Sequence, residues 1–103
     1  MAPTAVRQPP GSSQRSWTFL TNHAHVLLAV ARDPTVRLRD VAESIGITER
    51  AAQAIVADLE AEGYLRRERV GRRNEYTVNG SGRFRHPAEA DRRIGDLLKL
   101  FTE

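Results

Sequence analysis

The chain has 103 residues, no cysteine and a formal net charge of +3. That length gives one domain with tails, and the missing cysteines exclude disulfides and thiolate metal sites. No apolar run approaches the ~20 residues that span a bilayer and no signal-like apolar stretch opens the chain, so a cytoplasmic protein without membrane contact is expected. Nearly all the positive charge is arginine, Lys99 being the sole lysine. The planar arginine fork suits phosphate and guanine, although a GC-rich coding bias also favours arginine and alanine.

Residues 1–16, MAPTAVRQPPGSSQRS, have too little apolar content to offset ordering entropy and are expected to be a disordered tail. Trp17 to Leu20 is the first apolar cluster, expected as an extended lead-in that packs on the domain. Thr21 has the character of an N-cap for a helix from Asn22 to about Arg32, with Ala24, Leu27, Leu28 and Ala31 as its stripe, widened by Val26 and Val30. Asp33-Pro34 ends it, because the proline ring disfavours helix at the residue before. His23 and His25, two apart, point away from each other on a helix and do not make a metal pair.

After a short connection over Thr35–Leu38, with room for one β-bridge pair, comes the stretch LRDVAESIGITERAAQAIVADLEAEGYL, Leu38 to Leu65. Its first helix is expected from Arg39 to about Ile45, and Gly46 supplies the turn. Thr48 caps a second helix from Glu49 to about Glu62, whose apolar stripe is Ala52, Ile55, Val56 and Leu59. Two helices, a tight turn and a small Ala42 that allows close approach have the spacing of a helix-turn-helix. At 100° per residue from the buried stripe, the outermost positions are Arg50, Ala54, Ala57 and Ala61, with Gln53 beside them and Glu49 nearer the core.

Tyr64–Val70 and Glu75–Asn79 then form a β-hairpin around the expected four-residue turn Gly71-Arg72-Arg73-Asn74. Tyr76 and Val78 are in phase for the core, whereas Leu65 and Val70 are not. The hairpin carries Arg66, Arg67, Arg69, Arg72 and Arg73 against Glu68 and Glu75. Charge protects an exposed strand edge, but this many arginines beside a helix-turn-helix point to phosphate or minor-groove contact. Gly80-Ser81-Gly82 breaks the chain, and Pro87 opens a last helix in which Ala90, Ile94, Leu97, Leu98 and Phe101 recur at helical spacing around an interior Gly95. Its apolar stripe, above all Ile94, Leu97, Leu98 and Phe101, must either cover its own domain or pair with a second copy across a two-fold axis, and pairing is the favoured expectation.

From Trp17 to Asn79 the chain resembles bacterial, actinobacterial-like winged helix-turn-helix regulators of the MarR and ArsR type. LTNHAHVLLAVARDP carries the first helix, the Leu38–Leu65 stretch the central unit, and RRERVGRRNEYTV the wing. The resemblance implies a mainly α fold: a three-helix core plus a two-stranded wing, here with an extra C-terminal helix. It places the winged domain at 17–80, flanked by the tail expected from composition at 1–16 and by a linker and C-terminal helix at 81–103, a candidate dimerisation element. It also implies a homodimeric transcription factor on double-stranded DNA, with the second helix of the central unit in the major groove and the wing on flanking backbone or minor groove. Thr48 would then meet a phosphate, Arg50 and Gln53 read base edges, Ala54 permit close approach, and Arg66, Arg67, Arg69, Arg72 and Arg73 neutralise phosphates. The chain departs from the family in its row of recognition-helix alanines, in lacking the long flanking helices of full-length MarR proteins, and in showing no obvious small-molecule pocket or cysteine sensor. The alternative is a winged helix that receives a partner protein on its alanine line. Catalysis is not expected: there is no Gly-rich phosphate loop after a strand, no HExxH and no cysteine nucleophile, and no cofactor site is indicated.

Overall fold

A computed structural model describes residues 17–102. The tail expected at 1–16 lies outside the described residues. The described elements run α1 (Asn22–Arg32), α2 (Leu38–Ile45), α3 (Glu49–Ala61), β1 (Leu65–Val70), β2 (Arg73–Val78), a short 3-10 turn (Pro87–Glu89) and α4 (Ile94–Thr102). This is a winged helix: three packed helices, a two-stranded antiparallel wing and one further helix. No helix among the described residues is long and apolar enough to cross a membrane.

Two threonines start two of the helices. Thr21 Oγ1 accepts from the Ala24 amide at 3.2 Å, and Thr48 Oγ1 from the Ala51 amide at 3.0 Å. Each satisfies a donor that the first helical turn leaves without an intrahelical partner. The ends of α2 and α3 share one device. Gly46 at φ 79° and Gly63 at φ 82° take the left-handed conformation. The following amides then reach back, Ile47 to the Ala42 carbonyl at 3.0 Å and Tyr64 to the Leu59 carbonyl at 2.9 Å. The helix-turn-helix therefore forms with the bounds expected from its sequence to within about one residue at each end.

The core joins Val26, Leu27, Leu28 and Val30 of α1 to Val41 of α2, Ile55, Val56 and Leu59 of α3, and Leu65 and Tyr76 of the wing. On α1 the fully buried positions are Val26 and Val30, while Ala24 and Ala31 are only half-buried. The expected stripe is thus rotated toward the valines, because α1 packs against α2, α3, α4 and β2 together and is covered on more than one side. The lead-in also differs from expectation. Leu20 packs on the core, but Trp17 and Phe19 are exposed and stack edge-to-face on each other at 5.1 Å. The bridge allowed for at Thr35–Leu38 is absent; instead the Tyr76 amide donates to the Pro34 carbonyl at 2.8 Å, and Leu38 already begins α2.

The wing turns more tightly than its sequence suggests. Val70 pairs directly with Arg73, so the loop is Gly71-Arg72 alone, with Gly71 at φ 64°. A two-residue loop with a left-handed first residue matches strand twist, which a longer turn is not needed to do. Arg73 and Asn74 are consequently strand residues. Leu65 and Tyr76 are buried, Val78 is half-buried and Val70 is exposed.

The last helix is broken. Pro87–Glu89 is a separate turn, Ala90 is exposed, and α4 begins only at Ile94, with Gly95 as its second residue rather than in its interior. The cause is backbone contact between distant segments. The Ile94 amide donates to the Gly82 carbonyl at 2.7 Å and the Gly95 amide to the Gly80 carbonyl at 2.8 Å. A Cβ on Gly95 would sit 2.8 Å from that Gly80 oxygen. Ile94 and Leu98 are buried in their own chain's core, packed with α1, so they are not available to a partner as expected. Leu97 is half-buried, and Leu100 and Phe101 are exposed.

Candidate nucleic-acid interface

The N-terminal half of α3 and the wing face each other across a cleft of about 470 Å³. Glu49 and Gln53 of α3 form part of its wall, Arg67, Arg72, Arg73 and Asn74 come from the wing, and Arg37 and Arg39 from the start of α2. Two bonds hold the wing to the segment before α2: Tyr76 to Pro34, described above, and Arg73 Nη1 donating to the Thr35 carbonyl at 3.2 Å.

On α3 the exposed face is the expected one: Arg50, Gln53, Ala54, Ala57 and Ala61 are all solvent-facing. Glu49 is not on the core side, however; it is exposed and shares the cleft with Gln53, one helical turn on. Thr48 spends its hydroxyl oxygen on capping the helix, which orients the free amides of the first turn outward.

The wing arginines divide by register. Directly paired residues share a sheet face, so Arg67 (opposite Tyr76) and Arg69 (opposite Asn74) lie on the face of buried Leu65, and Arg66 (opposite Thr77) on the other. Arg67 is not a free cation: its Nη2 lies 3.2 Å from Glu60 Oε1, an ion pair that ties β1 to α3. Arg69 Nε donates to the Gly71 carbonyl at 3.2 Å, bracing the tip. Among the described residues, the side chains of Arg66 and Arg72 have no hydrogen-bond or ion-pair partner, and neither do those of Arg50 and Gln53. Glu60 and Glu62 are both paired, Glu60 with Arg67 and Glu62 with Arg85 at 2.8 Å. His23 Nε2 meets Asp58 Oδ2 at 2.8 Å, joining α1 to α3 on the surface.

Arg37 and Arg39 belong to this cleft and were not singled out from the sequence. The signal was there: two arginines flanking Leu38 at the start of a helix whose apolar residues face inward. What was missing was the fold-back that brings the wing opposite them.

The sequence model of the MarR family matches residues 18–73, more than half of the chain. The chain belongs to the MarR family. No curated protein matches it. Among solved structures it is similar to the PcaV transcriptional regulator from Streptomyces coelicolor, crystallised in complex with its natural ligand. That match has a TM-score of 0.55 and 23% identity, and covers 98% of this chain and 83% of the other. At that identity the likeness speaks for the winged-helix fold. Family membership makes the protein a transcriptional regulator.

A second concavity, of about 360 Å³, lies between the lead-in, α1 and α4. Phe19, Leu27, Leu59, Phe84, Leu97 and Leu98 give it a mainly apolar lining. The sequence offered no obvious small-molecule pocket; this one is assembled from segments up to the full length of the domain apart, which no local pattern reveals.

Proposed function

We propose that this MarR-family regulator binds double-stranded DNA as a homodimer in the cytoplasm, with α3 in the major groove and the wing on flanking backbone or minor groove. The observation that carries this is the single cleft onto which both the N-terminal half of α3 and the arginine-bearing wing open. Arg50 and Gln53 read base edges, a bidentate arginine–guanine pair discriminating by about 1–3 kcal/mol. Ala54 lets the helix approach closely, and Thr48 presents the amides of the α3 N-terminus to a phosphate. Arg66, Arg72 and Arg73 neutralise backbone, with Arg72 at the tip reaching furthest, while Arg67 and Arg69 serve the site chiefly by bracing the wing. Residues 17–80 form the DNA-binding unit, and 81–103 the linker and dimerisation element. With Ile94 and Leu98 engaged in the core, the surface left for pairing is Leu97, Leu100 and Phe101.

The apolar concavity beside α4 supports regulation by a small apolar or aromatic effector, since a ligand there touches both α1 and the helix assigned to pairing.

Selection of bound duplexes from a random pool tests the DNA reading. The expected result is an enriched palindrome, because half-site symmetry mirrors that of a dimer. Affinity should fall steeply with salt, and Arg72→Ala with Arg73→Ala should flatten the slope. No enriched duplex, or binding indifferent to salt, refutes it. Light scattering on Leu100→Ser with Phe101→Ser should report a folded monomer.

A further inference from the structure

We infer that Arg37 and Arg39 complete the nucleic-acid site: one DNA backbone strand runs through the cleft between wing and α3, with these two arginines on one wall and Arg72 and Arg73 on the other. The inference rests on the DNA reading above and assigns it residues that neither the recognition helix nor the wing contains.

The charge balance of the cleft favours an anion. Arg37, Arg39, Arg67, Arg72 and Arg73 line it against one carboxylate, Glu49. Arg67 is matched by Glu60 from outside the lining, which leaves the other four facing Glu49 alone. Arg37 and Arg39 are exposed, and among the described residues their guanidinium groups make no hydrogen bond or ion pair, as that of Arg72 does not. Like charges converging on one concavity repel unless an anion enters, and the parallel N–H donors of a guanidinium match the two free oxygens of a phosphodiester.

The walls are also fixed in place. The Tyr76–Pro34 bond and the Arg73–Thr35 bond fasten β2 to the residues just before Arg37, so the backbones that carry the two arginine groups cannot separate without breaking those bonds. Gln53 forms part of the same lining, which makes an anion held there continuous with a duplex lying along α3. A backbone strand crossing between the two grooves satisfies both conditions. Glu49 acts against it, and its position predicts an effect of opposite sign to that of the arginines.

The test measures the dependence of duplex affinity on salt for the full chain. Arg37→Ala with Arg39→Ala should lower the slope of log affinity against log salt by about 2, roughly one for each phosphate no longer neutralised. It should weaken all duplexes alike and leave any selected motif unchanged. Arg37→Lys with Arg39→Lys should restore most of the slope, and Glu49→Gln should tighten binding to a non-specific duplex. Arg92→Ala, outside the cleft, controls for net charge, and thermal unfolding confirms that each variant is folded. A wild-type slope in the Arg37/Arg39 alanine variant, while the Arg72/Arg73 variant loses its own, overturns the inference and leaves the DNA reading standing. Absence of duplex binding by the wild-type protein overturns both.

Discussion

Replacing Gly95 with alanine sets helix propensity against packing, and the two predict opposite signs. In a helix interior, glycine is worse than alanine by about 1 kcal/mol, and at the second residue of α4 the gain is smaller, so propensity alone predicts slight stabilisation. In the structure the new methyl would lie 2.8 Å from the Gly80 carbonyl oxygen and 3.3 Å from the Gly80 Cα and carbonyl carbon. Favourable carbon contacts lie nearer ~3.5–4.0 Å, so something must move by several tenths of an ångström. Gly80 cannot retreat freely, because its oxygen accepts from the Gly95 amide at 2.8 Å, and the neighbouring Ile94–Gly82 bond of 2.7 Å ties down the same crossing. Overpacking of this kind costs about 1–3 kcal/mol, which exceeds the propensity gain available at this position and leaves a net loss of up to roughly 2 kcal/mol. For a domain of this size that corresponds to a fall in Tm of up to roughly 15 °C. Thermal and urea unfolding followed by circular dichroism would measure it. A Gly95→Ala protein as stable as wild type, or more so, would show that α4 is not seated on Gly80 as described.

Three further outcomes are expected. Leu59→Ala, at a position only 7% exposed between α1, α3 and the wing, should lower stability by about 2–5 kcal/mol, seen as a shifted urea midpoint at unchanged m-value. Thr48→Ala should cost about 1 kcal/mol of stability, whereas Thr48→Asp should keep the cap yet weaken duplex binding by placing a carboxylate where a phosphate belongs. Equal duplex affinity for Thr48→Asp and wild type would remove the α3 N-terminus from the interface. Gly71→Ala forces a side chain into φ 64°, at a cost of about 1–2 kcal/mol, and should loosen the wing tip. Electrophoretic mobility shifts would then show weaker binding with α-helical content unchanged.

Much of the fold was legible because it is written locally. A threonine cap acts on an amide three residues on, and a glycine C-cap closes a bond five residues long, so Thr21, Thr48 and Gly46 could be placed from spacing alone. The hairpin was legible as a hairpin, but its loop length was not, since Gly71 serves either a two- or a four-residue reversal and the register Leu65–Val78 decides between them. The last helix was misread because the pattern from Ala90 to Phe101 continues through a break imposed by Gly80 and Gly82. For the candidate site the sequence pointed to α3 and the wing, yet it could not tell a paired arginine from a free one. Glu60 neutralising Arg67 and Thr35 receiving Arg73 are interactions across elements.

The amino-acid pattern alone therefore determined the helices of the central unit, the turn between them, the wing and the family these belong to, because caps, apolar stripes and reversals depend on residues within about two turns of one another. Only the tertiary structure decided how the surface is divided. Folding β2 back against Pro34 and Thr35 brings Arg72 and Arg73 opposite Arg37 and Arg39, and seating α4 on Gly80 withdraws Ile94 and Leu98 into the core. Both depend on which distant backbone atoms meet, and charge or apolarity at a position does not say what it will face.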